Sequence, residues 1–334
     1  MRSLMAIVVA LAVTGCSFEA LQSGDGALEE HATPTTTTSL VTTTSTTTAA
    51  VGDAETTTTT TIDLMTANAI VTPTGVVVAV LDHTDQGIVV RSPCGNETTV
   101  STGTPIGDVQ VVLDPGHGGE TDTGAVGANG LAERDLNLRV ARAVEAKLGE
   151  RGIGVVLTRT GNYASTLETR SALADQLDAD VLVSIHHNAP TPNPSPTPGT
   201  EVFIQTSSAA SKRLGGLIYD SVVEALDQFD VQWAAAPDAG VLVVHSTKGS
   251  DAYGMVRNPD TVSVLAELGY ISHPPEAELF ATSNYVDVAS GAVADGIQAY
   301  LETGEKGSGF VDEPRVFTPN RGISQSACVD PVLE

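Results

Sequence analysis

Three stretches place chemistry-bearing side chains at the ends of, or inside, apolar runs. Asp114-Pro115-Gly116-His117-Gly118-Gly119 follows Val111-Val112-Leu113, and Ser184-Ile185-His186-His187-Asn188 closes a run that starts at Val181. Glu267 lies within Val264-Leu265-Ala266-Glu267-Leu268-Gly269. Glycines around His117 let the backbone turn sharply and present the imidazole. A carboxylate inside an apolar strand is costly to bury unpaired, so Glu267 is a candidate for a working group. Histidines and carboxylates gathered in this way point to a metal-assisted hydrolytic site, which takes three protein ligands and leaves one position open. Side chains alternate along a strand, so adjacent His186 and His187 project to opposite faces and a single ion takes one of them. Glu133, which opens a helix after Gly130-Leu131-Ala132, is the best third ligand. Glu120, Asp122 and Asp135 are rivals by chemistry, and Glu133 could equally be a first-turn acid that favours the helix dipole.

The elements that must position these groups alternate between strand and helix. Apolar runs predict strands over residues 109–113, 155–158, 181–185, 201–204, 241–245 and 262–268. Amphipathic spacing predicts helices near residues 132–150, 166–177, 209–229 and 285–301, and Gly152 stands where the first of these should be capped. Such alternation predicts an α/β fold with a mainly parallel sheet and helices on both faces, with ligand sites at the carboxyl ends of the strands. Short β-rich runs at 75–81 and 87–91 predict a small β unit ahead of it, too small for a substantial core of its own.

Taken in order, these motifs resemble the zinc-dependent N-acetylmuramoyl-L-alanine amidases of type 3, from Val111 to about Leu301. The family's Asp-Pro-Gly-His-Gly-Gly falls on Asp114 to Gly119 and its Glu-(Lys/Arg)-Asp on Glu133-Arg134-Asp135. Its Ser-Ile-His-x-Asn falls on Ser184 to Asn188, and its Glu-x-Gly-(Phe/Tyr)-Ile-Ser on Glu267 to Ser272. The resemblance implies Zn2+ as cofactor, held by His117, Glu133 and His186, with His187 at the variable position and Glu267 as the catalytic acid/base. It implies peptidoglycan as substrate and cleavage between N-acetylmuramic acid and the L-alanine of the stem peptide. A protein activator is a further expected partner. The alternative is a catalytically silent wall-binding or regulatory protein on the same fold. The chain departs from the family in a 120–130 loop that is one residue longer than the commonest form, and in His273, where asparagine is common. A surface loop absorbs an extra residue easily, and His273 touches none of the four matched groups.

The remainder of the chain sets the location. Arg2 and an apolar stretch over 4–13 precede Val13-Thr14-Gly15-Cys16, too short to span a bilayer core of roughly 30 Å and similar to a bacterial lipobox. The expected organisation is a signal peptide over 1–16 ending at a lipidated Cys16 and a Thr-rich tether over 17–65. The β unit follows over 66–108, then the catalytic domain over 109–303 and a tail over 304–334. The protein is thus expected outside the cytoplasm, lipid-anchored to the cell membrane and facing the wall. With Cys16 used, Cys94 and Cys328 are expected to pair in that oxidising compartment and clip the tail to the β unit. A net charge of -25 disfavours nucleic acid and anionic surfaces as partners. Arg159, Arg170, Arg257 and Asn258 read as surface residues paired with this acidic protein. His245 reads as a packed or capped histidine, and the Pro-rich stretch 189–199 as a surface loop with the alternative of a lid over the site.

Overall fold

The computed structural model describes residues 63–190, 193–319 and 322–334. The expected export segment, Cys16 and nearly all of the Thr-rich tether lie outside them. Among the described residues no helix is long and apolar enough to cross a membrane.

The first strands are β1 (Ala69–Val71), β2 (Val77–Thr84), β3 (Gly87–Arg91), β4 (Glu97–Val100) and β5 (Thr104–Ile106). They form an antiparallel sheet in the order β4-β3-β2-β1-β5. Side-chain alternation sends Ile70, Val78, Val80, Ile88, Val90 and Val100 into a small core on one face. Ala69, Val77 and Ala79 from the other face pack with Val112, Leu173 and Leu182. The small sheet therefore docks on the larger domain through a shared core.

That domain begins with β6 (Val111–Pro115), α1 (Glu133–Glu150), β7 (Val155–Leu157), α2 (Leu167–Gln176) and β8 (Val181–Asn188). It continues with β9 (Asn193–Ser195), β10 (Glu201–Ile204), α3 (Ala209–Leu226), β11 (Trp233–Ala235), β12 (Val241–Leu242) and β13 (Val244–His245). It ends with α4 (Gly254–Arg257), β14 (Ser263–Tyr270), α5 (Pro274–Phe280), α6 (Ser283–Glu302) and β15 (Arg315–Val316). The main sheet runs β12-β10-β14-β8-β6-β7. All its neighbours are parallel except β10 and β14. Helix spacing puts Leu136, Val140, Val144 and Leu148 of α1 on one stripe, which packs with Leu214 and Ile218 of α3 and Val293 and Ile297 of α6 in the main core. The opposite face carries Leu182 with Leu173 of α2, and Leu265 with Val256 of α4. The helices α2, α3 and α6 start at Thr166, Ser208 and Thr282, whose hydroxyls accept a backbone N–H of the first turn.

The expected strand over 241–245 is divided at Val243. Its first half pairs with β10, and its second half pairs with β15 of the tail. The tail thereby covers the edge of the main sheet, with Val241 N donating to Gly309 O and Val311 N to Val241 O. The helix α5 escaped the sequence reading because its seven residues are too few to show a period; Pro274 starts it by occupying a position with no hydrogen bond to lose.

The tail returns to the small sheet. Cys94 and Cys328 form a disulfide with Cα atoms 5.5 Å apart. Asp330 reinforces it, accepting from Cys94 N, Ser92 Oγ and Asn96 Nδ2, each at 2.8 Å. Replacing both cysteines by serine is expected to lower stability by about 2–4 kcal/mol through freedom gained by the unfolded chain. Urea unfolding of the oxidised protein and the double variant measures the difference.

Candidate metal and catalytic site

β6 ends at Pro115 and the chain reverses beside the end of β8. A Cβ at Gly116 would stand 2.1 Å from the His186 ring, so only glycine lets the loop pass that histidine. The next residue, His117, adopts left-handed backbone with φ of 63°. For a residue with a side chain this costs roughly 1–2 kcal/mol. The surroundings hold it there, because Gly118 N donates to Asp122 O at 2.9 Å and Arg170 Nη2 donates to His117 O at 2.7 Å.

The expectation that Arg159 and Arg170 pair at the surface is overturned, since they are only 1 % and 3 % exposed. Arg159 donates Nε to Pro115 O at 2.8 Å and Nη2 to Gly116 O at 3.0 Å and Arg134 O at 2.7 Å. Arg170 Nη1 reaches Pro115 O and the Asp114 carboxylate, both at 2.9 Å. A loop leaving a sheet buries carbonyls that have no ladder partner, and a guanidinium supplies several donors in one plane. Burial pushes the Asp114 carboxyl up, but Arg170 and the hydroxyls of Ser184 and Thr158 outweigh it and hold the pKa at about 2. Arg257 donates to the carbonyls of Asp251 and Ala252, Asn258 closes α4, and His245 Nε2 meets Thr206 Oγ1 at 3.1 Å.

His117, Glu133 and His186 come together, with one potential ligand atom from each all lying within 4.8 Å of one another. Glu133 is the centre of the group: Oε2 lies 3.2 Å from His117 Nε2, and Oε1 lies 2.9 Å from His186 Nδ1. Its rivals are used otherwise. Asp122 meets His117 Nδ1 at 2.6 Å and so orients the ring, Glu120 is 84 % exposed, and Asp135 pairs with Arg134 at the surface. Sequence spacing leaves Asp122 among the ligand candidates, and its position behind the imidazole corrects that. Such a carboxylate–histidine contact fixes the ring nitrogen that faces the ion.

The two adjacent histidines face opposite ways. His187 is fully buried, with Nδ1 2.7 Å from Asn137 Oδ1 and Nε2 2.7 Å from Tyr285 OH. Burial pushes its pKa down to about 3, so it stays neutral. On the other face, burial also opposes charge on His117, but Asp122 and Glu133 outweigh it and raise the pKa to about 10. Burial likewise opposes charge on Glu133, yet the two imidazoles hold its carboxyl well below the usual range. The site thus favours positive charge between its side chains. Two imidazoles and a carboxylate whose ligand atoms lie within 4.8 Å of one another are a donor set of the kind that accepts a divalent ion such as zinc.

Glu267 is the Cα partner of His186 across β14 and β8. It is 7 % exposed, and its Oε2 is buried with no hydrogen-bond partner. Burial, reinforced by the negative charges of Glu133 and Glu201, pushes its carboxyl well above the usual range.

The profile of the N-acetylmuramoyl-L-alanine amidase family matches residues 111–299, more than half of the chain. The chain belongs to this family. It is 38 % identical over 200 residues to the Bacillus subtilis protein YqiI, covering 59 % of this chain and 87 % of that one. It is 32 % identical over 221 residues to the N-acetylmuramoyl-L-alanine amidase AmiA of Salmonella typhimurium, covering 57 % of this chain and 75 % of that one. The crystal structure of an N-acetylmuramoyl-L-alanine amidase from Clostridium difficile 630 superposes with a TM-score of 0.50 at 27 % identity, over 59 % of this chain and all of that one.

In this amidase-family chain the ion pair of Asp114 and Arg170 underlies the His117 loop. Replacing Arg170 by Met leaves a buried carboxylate without its counter-charge and should lower stability by about 3–5 kcal/mol. The folded pKa of Asp114 lies below the value of 3.8 for a free carboxyl. Its contribution of about 2 kcal/mol is therefore complete above that value, declines as pH falls toward 2, and is absent below it. Denaturant titrations of both proteins from pH 6 to pH 2 should show the variant's deficit shrinking with acid.

Proposed function

We propose that this protein is a zinc-dependent hydrolase that cleaves the amide between N-acetylmuramic acid and the L-alanine of the peptidoglycan stem peptide. The observation that carries the proposal is Glu133 in contact with both His117 and His186, beside a partnerless carboxylate oxygen of Glu267 on the next strand. His117, Glu133 and His186 would hold the ion. When bound, zinc supplies Lewis acidity toward the scissile carbonyl and the attacking water.

The chain's own groups handle the proton. Glu267 Oε2, free of other hydrogen bonds, takes a proton from the water as its oxygen bonds to the carbonyl carbon. The raised proton affinity of that buried carboxyl helps it hold the proton until the C–N bond breaks, when the proton passes to the alanine nitrogen. Asp122 orients His117 throughout, and Asn137 and Tyr285 fix the ring of His187, which burial keeps neutral behind the site.

The protein would act at the outer face of the cytoplasmic membrane, anchored through Cys16 with the Thr-rich tether as spacer to the wall. The Cys94–Cys328 disulfide supports an oxidising compartment.

Purified peptidoglycan digested with the full chain should release stem peptides that begin with L-alanine. Activity should vanish with a chelator and return with zinc, as read by mass spectrometry of the products. Glu267→Gln should retain zinc yet lose about 10²–10⁴-fold in turnover. Full activity of that variant would remove Glu267 from the chemistry, and absence of bound zinc in the wild type would remove the metal site.

A further inference from the structure

Glu201 opens β10 as the Cα partner of Glu267 on β14, so the two carboxylates stand side by side on one face of the sheet. The Glu201 side chain is entirely buried. Its Oε2 accepts from Asn188 Nδ2 at 2.6 Å and from Tyr270 OH at 3.2 Å. Asn188 ends the strand of His186, and Tyr270 ends the strand of Glu267. The ladder between those strands shifts register between Glu267 and Tyr270 and resumes with Tyr270 opposite Asn188, the same two residues whose side chains meet the Glu201 carboxylate. Glu201 ties them through its carboxylate.

The counter-charge comes from the tail. Arg315 Nη2 donates to Glu201 Oε1, and the same guanidinium grips Asp238 through Nε at 2.9 Å and Nη2 at 2.6 Å. Backbone bonds hold Arg315 in place, with its own N donating to Val243 O at 3.0 Å and Phe317 N to His245 O at 2.9 Å.

We propose that Arg315 is a positioning residue for the hydrolytic centre: through Glu201 it fixes the strand ends that carry His186 and Glu267, which makes the C-terminal tail part of the catalytic apparatus. Without the guanidinium, Glu201 is a buried charge beside a second buried carboxylate. It must then take up a proton or turn toward water, and either change loosens Asn188 and Tyr270. The proposal rests on the reading of Glu267 as the catalytic group.

The test compares the full, zinc-loaded wild-type chain with Arg315→Met, Arg315→Lys and the double variant Glu201→Gln/Arg315→Met on a soluble muramoyl-peptide substrate. Arg315→Met should lower kcat about tenfold or more with KM changed less than about twofold. The double variant should regain part of that loss, because a neutral amide at position 201 needs no counter-charge. Lysine, a point charge that cannot grip two carboxylates, should fall between wild type and Met; it carries the test if the Met variant does not fold. Circular dichroism and thiol labelling of the disulfide verify the fold. Wild-type kcat in the Met and Lys variants, a loss confined to KM, or a double variant no better than Arg315→Met would overturn the proposal while leaving the amidase reading intact. An inactive wild type would remove that reading and this one together.

Discussion

The site depends on satisfying three carbonyls. Where the chain leaves β6, the carbonyl oxygens of Pro115, Gly116 and His117 turn away from the sheet, and no strand is available to bond them. Arg159 and Arg170 take that role, the first reaching them from the segment after β7 and the second from α2. The two guanidinia are themselves buried, which is tolerable because carbonyls and the Asp114 carboxylate occupy their donors. This scaffold holds His117 in left-handed backbone and so determines where its imidazole meets Glu133. An ordinary β-to-α connection would leave the ring elsewhere.

One strand end separates two electrostatic regimes. His186 faces the Glu133 carboxylate, whereas His187, its neighbour in the chain, is sealed among Asn137, Tyr285 and Phe280, where burial keeps it neutral. Glu133 and Glu267 show the same division among carboxylates, one drawn toward ionisation by two imidazoles and the other drawn toward protonation by burial. Pairs of like groups pushed in opposite directions are what acid–base chemistry near neutral pH requires.

The parts of this arrangement that were legible in the sequence are those that a strand end must show. His117, His186 and Glu267 follow, terminate or interrupt apolar runs, and the strand–helix alternation that carries them is a local property of the chain; Glu133, at a helix start among other acids, was set apart from its rivals by the family resemblance. The arginine scaffold was not legible, because a charged side chain defaults to the surface and its targets are backbone carbonyls, which leave no trace in residue types. The β13–β15 pairing was hidden for a different reason: strands of two residues have no period, and their partners are remote in the chain. Glu201 did carry a usable signal, a carboxylate opening the apolar run Val202-Phe203-Ile204, of the same kind that drew attention to Glu267.

The Cys94–Cys328 bond joins positions 234 residues apart. Every strand of the main sheet lies between them, so this part of the molecule is a covalent ring. A protease that nicks a surface loop inside a ring opens it without releasing a fragment, and the severed ends remain tethered near their native places. One cut between the two cysteines then leaves a single covalently connected molecule, and separating its pieces requires a second cut or a reductant.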